Sequence, residues 1–135
     1  MGYRYNKIGI IGLGCMGLPM ARNLAQKADI PVLGFDVMPK PLEIFEMAGG
    51  VPVRDVTEIY KDCDVIMQVL PTHETVIHSV EEAIRYGNAG KIIIDFSSTA
   101  PDIICGCGYF YWKNVFRSSD DLFDFCSCHC HRGSG

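Results

Sequence analysis

Residues 8–24, IGIIGLGCMGLPMARNL, run from an apolar stretch through a cluster of glycines into a row of helix-forming residues. The apolar stretch predicts a buried strand over residues 7–12, and the spacing of Met20 and Leu24 with three alanines predicts a helix over residues 18–27. Glycines concentrated at such a junction indicate a backbone path that side chains would obstruct. The segment therefore constrains the chain to form a strand, a tight loop and a helix in direct succession.

The same alternation of strand and helix continues as far as residue 96. Further strands are predicted at residues 32–36, 51–53, 64–70 and 91–96, and helical segments at residues 41–48, 56–61 and 73–86. Segments that are apolar throughout are typical of strands covered on both faces, and their alternation with helices predicts a parallel sheet with right-handed crossovers. The predicted fold class is therefore α/β, with a doubly wound parallel sheet of the Rossmann type.

The glycine cluster fits the pattern G-x-G-x-x-G of dinucleotide-binding proteins, in the required place after a strand and before a helix. Gly12 permits the tight turn, Gly14 leaves the backbone open to a pyrophosphate, and Gly17 lets the helix pack close to the strand. The N–H groups and the positive end of the helix then face the phosphates. We therefore predict that the whole loop binds the cofactor, namely Gly12, Leu13, Gly14, Cys15, Met16 and Gly17.

Asp36 ends the second predicted strand, nineteen residues after Gly17. A carboxylate in this position can accept hydrogen bonds from the hydroxyl groups of an adenosine ribose. The same carboxylate would face the 2′-phosphate of NADP, and like charges held together cost several kcal/mol. The loop and the acid together predict a nicotinamide dinucleotide as partner, with NAD as the cofactor. Lys40 leaves NADP open as an alternative, because its ammonium group would partly neutralise that phosphate.

Residues 12–24 also read G-L-G-x-M-G-x-x-M-A-x-N-L, which is more specific than the glycine pattern alone. Two further segments, QVLPTHETV at residues 68–76 and DFSSTAP at residues 95–101, accompany the ends of the fourth and fifth predicted strands. With these three motifs, the chain resembles the β-hydroxyacid dehydrogenase family over residues 6–104. That family includes 3-hydroxyisobutyrate dehydrogenase, tartronate semialdehyde reductase and 6-phosphogluconate dehydrogenase.

The resemblance implies a function and further site residues. It implies an NAD(P)-binding domain of an oxidoreductase that acts on the hydroxyl group of a small 3-hydroxy acid. Leu70 and Pro71 are then expected to flank the cofactor. Thr75 is expected near it, and Ser98 beside the nicotinamide ribose. Sheet geometry independently brings the glycine loop and residues 70–72 together, because ligands bind where the first and fourth strands diverge.

Most of these positions also have structural explanations. Glycines at the end of a strand serve close packing, and Asp36 taken alone is a strand-ending turn residue. Thr72 is predicted to cap the following helix, which is compatible with a cofactor nearby, and residues 97–99 suit the cap of another helix. Cys15 is interpreted as a small side chain in a variable position, with a reactive thiol at a helix N-terminus as the alternative.

Composition changes sharply near residue 105, since the last 31 positions hold five of the seven cysteines and half of the aromatic residues. We divide the chain there into a dinucleotide-binding domain, residues 1–104, and a divergent tail, residues 105–135. The tail is expected to be irregular, and to be either disordered or outside the family. The preferred explanation is a departure of the reading frame or exon structure. Zinc or copper bound by the segment CSCHCH is the alternative, although its ligands alternate more closely than those of structural zinc sites. We therefore assign no metal ligand.

The family's substrate loop and its catalytic lysine helix have no counterpart after residue 104. We therefore assign no catalytic residue and expect the chain to turn over no hydroxy acid. The strand at residues 91–96 is likewise expected to form an unpaired edge of an incomplete sheet. Two other classes of function stay open: a non-catalytic NAD-binding module, and an interaction protein that uses the metal- or thiol-binding side chains of the tail.

The charge and hydropathy of the chain argue against several partners. A net charge of −4 disfavours nucleic acid and anionic membranes, because both require basic patches. No apolar run reaches the roughly 18 residues of a membrane span, and the first residues lack the apolar core of a signal peptide. The expected location is therefore cytoplasmic. A small hydroxy acid is expected to bind only in a full-length relative, which would contain the substrate loop.

Overall fold

Parallel strands paired side by side form the centre of this protein. The computed structural model describes residues 4–87 and 90–97, and the backbone of residues 124–127. In these residues the strands are β1 (Ile8–Ile11), β2 (Val32–Phe35), β3 (Val51–Pro52), β4 (Val65–Gln68), β5 (Ile92–Asp95) and β6 (Asp124–Ser127). They pair in parallel in the order β3-β2-β1-β4-β5-β6. This order reverses at β1, so the carboxyl ends of β1 and β4 frame the switch point of a doubly wound sheet.

Helices cover both faces of the sheet. In the described residues they are α1 (Gly17–Lys27), α2 (Pro39–Met47), α3 (Val56–Asp62) and α4 (His73–Tyr86). Because successive strand residues point to opposite faces, Ile10 joins a core cluster with residues of α1 and α2, while Ile11 joins one with residues of α3 and α4. Full burial of such side chains stabilises the fold by about 1.5–3 kcal/mol each. Two apolar layers thus enclose the strands, as their uniformly apolar sequences predict.

The prediction of a doubly wound α/β fold is confirmed, and the ends of the predicted elements lie within two residues of those observed. The helix α2 begins at Pro39 rather than at residue 41, because a proline suits the first turn of a helix, where its missing N–H is not needed. The strand β4 ends at Gln68 rather than at residue 70, since Leu70 donates its N–H to the side chain of Ser97. Residues 69–71 therefore form a loop at the carboxyl edge of the sheet.

The expectation that the fifth strand forms an unpaired edge is wrong. The strand β6 runs parallel to β5, with Ile92 opposite Asp124 and Asp95 opposite Ser127. Strands pair through backbone N–H and C=O groups, which nearly every residue type supplies, so the composition of the tail did not reveal this strand. The side chains of the segment CSCHCH, and with them the zinc or copper alternative, lie outside the described residues.

The helices are short and amphipathic. The 14 residues of α4 include the buried Val76, Val80 and Ala83, and the exposed His73 and His78. In the part of the chain that the structure describes, no helix is long and apolar enough to cross a membrane.

Candidate cofactor-binding site

Two close backbone approaches shape the glycine loop between β1 and α1. Gly12 has a φ of +94°, and a Cβ atom there would collide with the carbonyl oxygen of Val69. A Cβ atom on Gly17 would collide with the carbonyl oxygen of Gly12. Both obstacles are backbone atoms rather than flexible side chains, and residues with a Cβ rarely adopt a positive φ. Gly12 and Gly17 therefore serve the tight turn and the close helix packing that their sequence positions predict.

Gly14 differs from the other two glycines of the motif because no part of the described protein crowds it. A Cβ atom at Gly14 would have no neighbour within 4 Å, and the residue borders an open cleft. Packing therefore gives no reason for a glycine at this position. A ligand that approaches the backbone closely does give one.

The N-terminus of α1 is open to the same cleft. Met16 occupies its cap position without a side-chain hydrogen bond, and the first turn carries no acidic residue. Asp55 caps α3 and Thr72 caps α4 through their side chains, whereas α2, like α1, has no side-chain cap. The first residues of α2 lie outside the cleft lining, so α1 is the uncapped helix that faces the cleft. The first turn of a helix leaves N–H groups without partners in the helix, and its dipole favours negative charge. In α1, Leu18 and Met20 already donate their N–H groups to the carbonyl oxygens of Gly14 and Met16, and Pro19 has no N–H. Among the described contacts the N–H groups of residues 14–17 have no acceptor, and these are the groups available to an anion.

Asp36 joins the end of β2 to the glycine loop. Its Oδ2 accepts a hydrogen bond from the N–H of Leu13 at 2.7 Å, and its Oδ1 accepts one from the N–H of Met38 at 2.8 Å. The bond from Met38 is the local turn expected of a strand-ending aspartate. Each carboxylate oxygen keeps a further lone pair, so the side chain can still accept hydrogen bonds from ribose hydroxyls. The two sequence-based interpretations of Asp36 are thus compatible.

These groups surround a cleft of about 460 Å³ at the carboxyl edge of the sheet, where β1 and β4 diverge. Its lining in the described residues comprises Ile11, Gly12, Gly14, Cys15, Met16, Phe35, Asp36, Val37, Val69, Leu70, Pro71 and Thr75. Most of these side chains are apolar, and a few polar groups lie among them. This combination is typical of sites for small molecules and cofactors.

Most of the predicted cofactor-binding residues lie together in this cleft. Those in the lining are Gly12, Gly14, Cys15, Met16, Asp36, Leu70, Pro71 and Thr75. Leu13 is outside the lining, because its side chain is 1% exposed in the core and its N–H bonds to Asp36. Gly17 is buried at the start of α1. Ser98 lies outside the described residues.

The loop at residues 69–71 forms one side of the cleft, and we refer to it as the β4 wall. Val69 donates its N–H to the carbonyl oxygen of Ile11 at 2.9 Å. Leu70 donates its N–H to Oγ of Ser97 at 2.8 Å. Sequence reasoning placed Ser97 in the motif DFSSTAP and considered it as a helix cap. It did not predict this bond, because a hydrogen bond between neighbouring strands has no signature along the chain.

The cap of α4 fixes Thr75 beside the β4 wall. The N–H of Thr75 is donated to Oγ1 of Thr72 at 3.3 Å, and the hydroxyl of Thr75 is donated to the carbonyl oxygen of Thr72 at 2.8 Å. The predicted cap at Thr72 is confirmed. Thr75 completes this capping box and borders the cleft at the same time.

Sequence reasoning missed four residues of the lining, which are Ile11, Phe35, Val37 and Val69. Each lies within two residues of the carboxyl end of β1, β2 or β4. Their position was the available signal, since ligands of doubly wound sheets bind at the carboxyl ends of the strands. Val37 directly follows Asp36, and the structure shows this apolar side chain to be 85% exposed.

Comparison with known proteins agrees with this geometry. The model of the family described as the NAD binding domain of 6-phosphogluconate dehydrogenase matches residues 7–104. The mitochondrial 3-hydroxyisobutyrate dehydrogenase of Homo sapiens is 33% identical over 99 residues, which cover 71% of this chain and 29% of that protein. The 2-(hydroxymethyl)glutarate dehydrogenase of Eubacterium barkeri is 35% identical over 98 residues, which cover 70% of this chain and 32% of that protein. The chain thus spans about a third of the length of these relatives.

Solved structures share the fold. A 3-hydroxyisobutyrate dehydrogenase from Mycobacterium tuberculosis, determined with L-serine, matches with a TM-score of 0.75 at 23% identity and covers 92% of this chain and 39% of that one. The V8 variant of an imine reductase from Myxococcus stipitatus, in complex with NAD+, matches with a TM-score of 0.74 at 15% identity. This match covers 93% of this chain and 40% of that one. These similarities establish the fold alone, whereas the family model covers most of the chain. The resemblance to β-hydroxyacid dehydrogenases is confirmed, and the chain belongs to the family of the NAD binding domain of 6-phosphogluconate dehydrogenase.

Proposed function

We propose that this domain holds its dinucleotide across the carboxyl edge of the sheet, between the glycine loop, Asp36 and the β4 wall. The observation that carries the proposal is the uncapped N-terminus of α1 beside Gly14. A pyrophosphate at this point would meet free N–H groups and the positive end of the helix dipole. A chain with a net charge of −4 depends on such local geometry to bind an anion.

The adenosine ribose is placed at Asp36 in this proposal. Two backbone hydrogen bonds already hold the carboxylate in one position. Binding of the ribose hydroxyls to its oxygens therefore costs no further side-chain entropy. A 2′-phosphate in the same place would meet a fixed negative charge. We infer a preference for NAD over NADP. Lys40 supports the NADP alternative, because it is exposed in the first turn of α2.

The nicotinamide half is placed at the β4 wall. The sheet order puts β2 on one side of β1 and β4 on the other, so a dinucleotide with its pyrophosphate on the glycine loop extends towards both. Leu70, Pro71 and Thr75 are the lining residues on the β4 side. The predicted position of Ser98 beside the nicotinamide ribose belongs to the same proposal.

For the whole protein we infer a dehydrogenase of a small 3-hydroxy acid. When bound, NAD accepts a hydride from a carbon that carries a hydroxyl group. The names of the relatives support this inference, since they include dehydrogenases of 3-hydroxyisobutyrate and of 2-(hydroxymethyl)glutarate. The residues described here bind and orient the cofactor, and we assign none of them a catalytic role. A non-catalytic NAD-binding module is the second candidate, because the same cleft supports it.

Calorimetric titration with NADH and NADPH tests the proposed function. We expect the wild-type chain to bind NADH at least about tenfold more tightly than NADPH, and Asp36→Asn to reduce this ratio by about tenfold, or ~1.4 kcal/mol. Asp55→Asn is the matched control, because Asp55 also accepts a backbone N–H hydrogen bond after a strand but lies outside the cleft lining. A wild-type chain that binds neither nucleotide, or that prefers NADPH, contradicts the proposal.

A further inference from the structure

A chain of hydrogen bonds leads from β5 to the β4 wall. The N–H of Leu70 is donated to Oγ of Ser97 at 2.8 Å, and the N–H of Ser97 is donated to Oδ1 of Asp95 at 3.1 Å. Asp95 is the last residue of β5 and is 1% exposed. A buried carboxylate thus orients the serine that holds the wall of the cleft.

Ser97 takes the place of a backbone acceptor where β4 and β5 separate. The last ladder bond between these strands runs from the N–H of Phe96 to the carbonyl oxygen of Gln68 at 2.9 Å. In a parallel ladder, the next N–H of β4 would be donated to a backbone carbonyl of β5. Leu70 donates to the hydroxyl of Ser97 instead. The β4 wall is therefore tied to β5 by a side chain at the point where it leaves the sheet.

The glycine loop holds the other side of the β4 wall. Val69 donates its N–H to the carbonyl oxygen of Ile11 at 2.9 Å, and its own carbonyl oxygen lies where a side chain on Gly12 would be. The β4 wall is thus fixed between two supports, the glycine loop and Ser97. Only the support from Ser97 depends on a side chain.

Asp95 is a buried carboxylate that accepts a described hydrogen bond from Ser97. Gln68 lies opposite Asp95 in the register of β4 and β5, and both residues are 1% exposed. Among the described residues, Oδ2 of Asp95 and Nε2 of Gln68 have no hydrogen-bond partner. Buried polar atoms without partners destabilise a fold. Within the described contacts, the contribution of Asp95 is the acceptor that it offers to Ser97.

We propose that Ser97 is a positioning residue for the nicotinamide half of the cofactor, and that Asp95 orients it. This proposal rests on the placement of NAD proposed above. The sheet order puts the β4 wall on the opposite side of β1 from Asp36. Loss of the Ser97 hydroxyl therefore disturbs the nicotinamide side and leaves the adenosine and pyrophosphate contacts as they are.

Calorimetric titration with NADH and with ADP separates these two halves, because ADP lacks the nicotinamide and its ribose. For Ser97→Ala we expect NADH to bind about tenfold more weakly and ADP to bind within about twofold of wild type. Ser97→Thr keeps a hydroxyl and should restore NADH binding. Asp95→Asn keeps an oxygen acceptor and should retain it, whereas Asp95→Leu should reproduce the effect of Ser97→Ala.

Ser79→Ala is the control for the loss of a hydrogen-bonded serine hydroxyl. Oγ of Ser79 lies 2.9 Å from the hydroxyl of Tyr60, away from the cleft lining. This variant should lower thermal stability and leave the NADH-to-ADP affinity ratio unchanged. If Ser97→Ala does not fold, Ser97→Cys carries the same prediction, because a thiol is a weaker acceptor.

Two results would overturn the positioning role of Ser97. The first is a Ser97→Ala chain whose affinities for NADH and for ADP fall equally, which indicates a general structural effect. The second is a folded Ser97→Ala chain that binds NADH as tightly as wild type. A wild-type chain that binds neither ligand contradicts the proposed function itself and removes the basis of the positioning role.

Discussion

Replacement of Gly14 by valine separates cofactor binding from folding. In the free protein, a Cβ atom at Gly14 has no described neighbour within 4 Å, and Gly14 is not among the glycines with positive φ. The variant should therefore fold. Glycine replacements at compatible positions stabilise a protein by about 0.4–1 kcal/mol, because they restrict the unfolded chain. We expect the melting temperature of Gly14→Val without ligand to equal or exceed that of wild type.

The same side chain would occupy the space through which a pyrophosphate reaches the N–H groups of the loop. Hydrogen bonds to a charged group contribute about 1.5–3 kcal/mol each. Loss of two such bonds weakens NADH binding by about 3–6 kcal/mol, which is more than about 100-fold. Gly14→Ala should fall between wild type and Gly14→Val, because a methyl group fills less of the space.

NADH fluorescence titration measures this affinity, and thermal unfolding followed by circular dichroism measures the stability. Gly17→Ala is the matched comparison, since its Cβ atom would collide with the carbonyl oxygen of Gly12. That variant should lose thermal stability even in the absence of ligand. A folded Gly14→Val chain with the wild-type affinity for NADH would refute the placement of the pyrophosphate.

Three further predictions concern thiols, pH and a helix cap. Cys15 is exposed in the cleft, whereas burial raises the pKa of Cys63 to about 11. Iodoacetamide should therefore modify Cys15 before Cys63, and bound NADH should protect Cys15. Peptide mass spectrometry that finds the two cysteines modified equally would contradict this prediction. Burial also raises the pKa of Tyr60 from 10.0 to about 12, because the folded state favours the neutral phenol. The protonated Tyr60 side chain therefore contributes fully to the free energy of unfolding below pH 10, and this contribution is lost as the pH rises towards 12. Urea unfolding should show this loss, and Tyr60→Phe should reduce it; the remaining loss comes from Cys63, whose pKa is also raised. A wild-type free energy of unfolding that does not change between pH 10 and pH 12 would contradict this prediction. Thr72→Ala should lower the free energy of unfolding by about 1 kcal/mol, because α4 loses its cap, and an unchanged urea midpoint would exclude that contribution.

The parts of the site that could be predicted from the sequence are those that local patterns determine. The glycine loop and Asp36 follow apolar strands at the spacing that the dinucleotide fold requires, so both were predictable. The position of Val37 after β2 was an available signal, but its exposure in the cleft could not be predicted, because a single apolar residue after a strand resembles many others. Ser97 belongs to the motif DFSSTAP, but the hydrogen bond that it accepts from Leu70 could not be predicted, because the two residues are 27 positions apart in the chain. The strand β6 was missed for a similar reason, since its pairing uses backbone atoms that any sequence provides.

Backbone amide chemical shifts, recorded for the ¹⁵N-labelled chain during a titration with NADH, locate the bound dinucleotide most directly. We expect the largest changes at residues 12–17, at Val37 and Met38 beside Asp36, and at Leu70 in the β4 wall. Residues 56–62 of α3, which lie outside the cleft lining, should change least. Largest changes on another surface, or no changes at saturating NADH, would contradict cofactor binding at the carboxyl edge of the sheet.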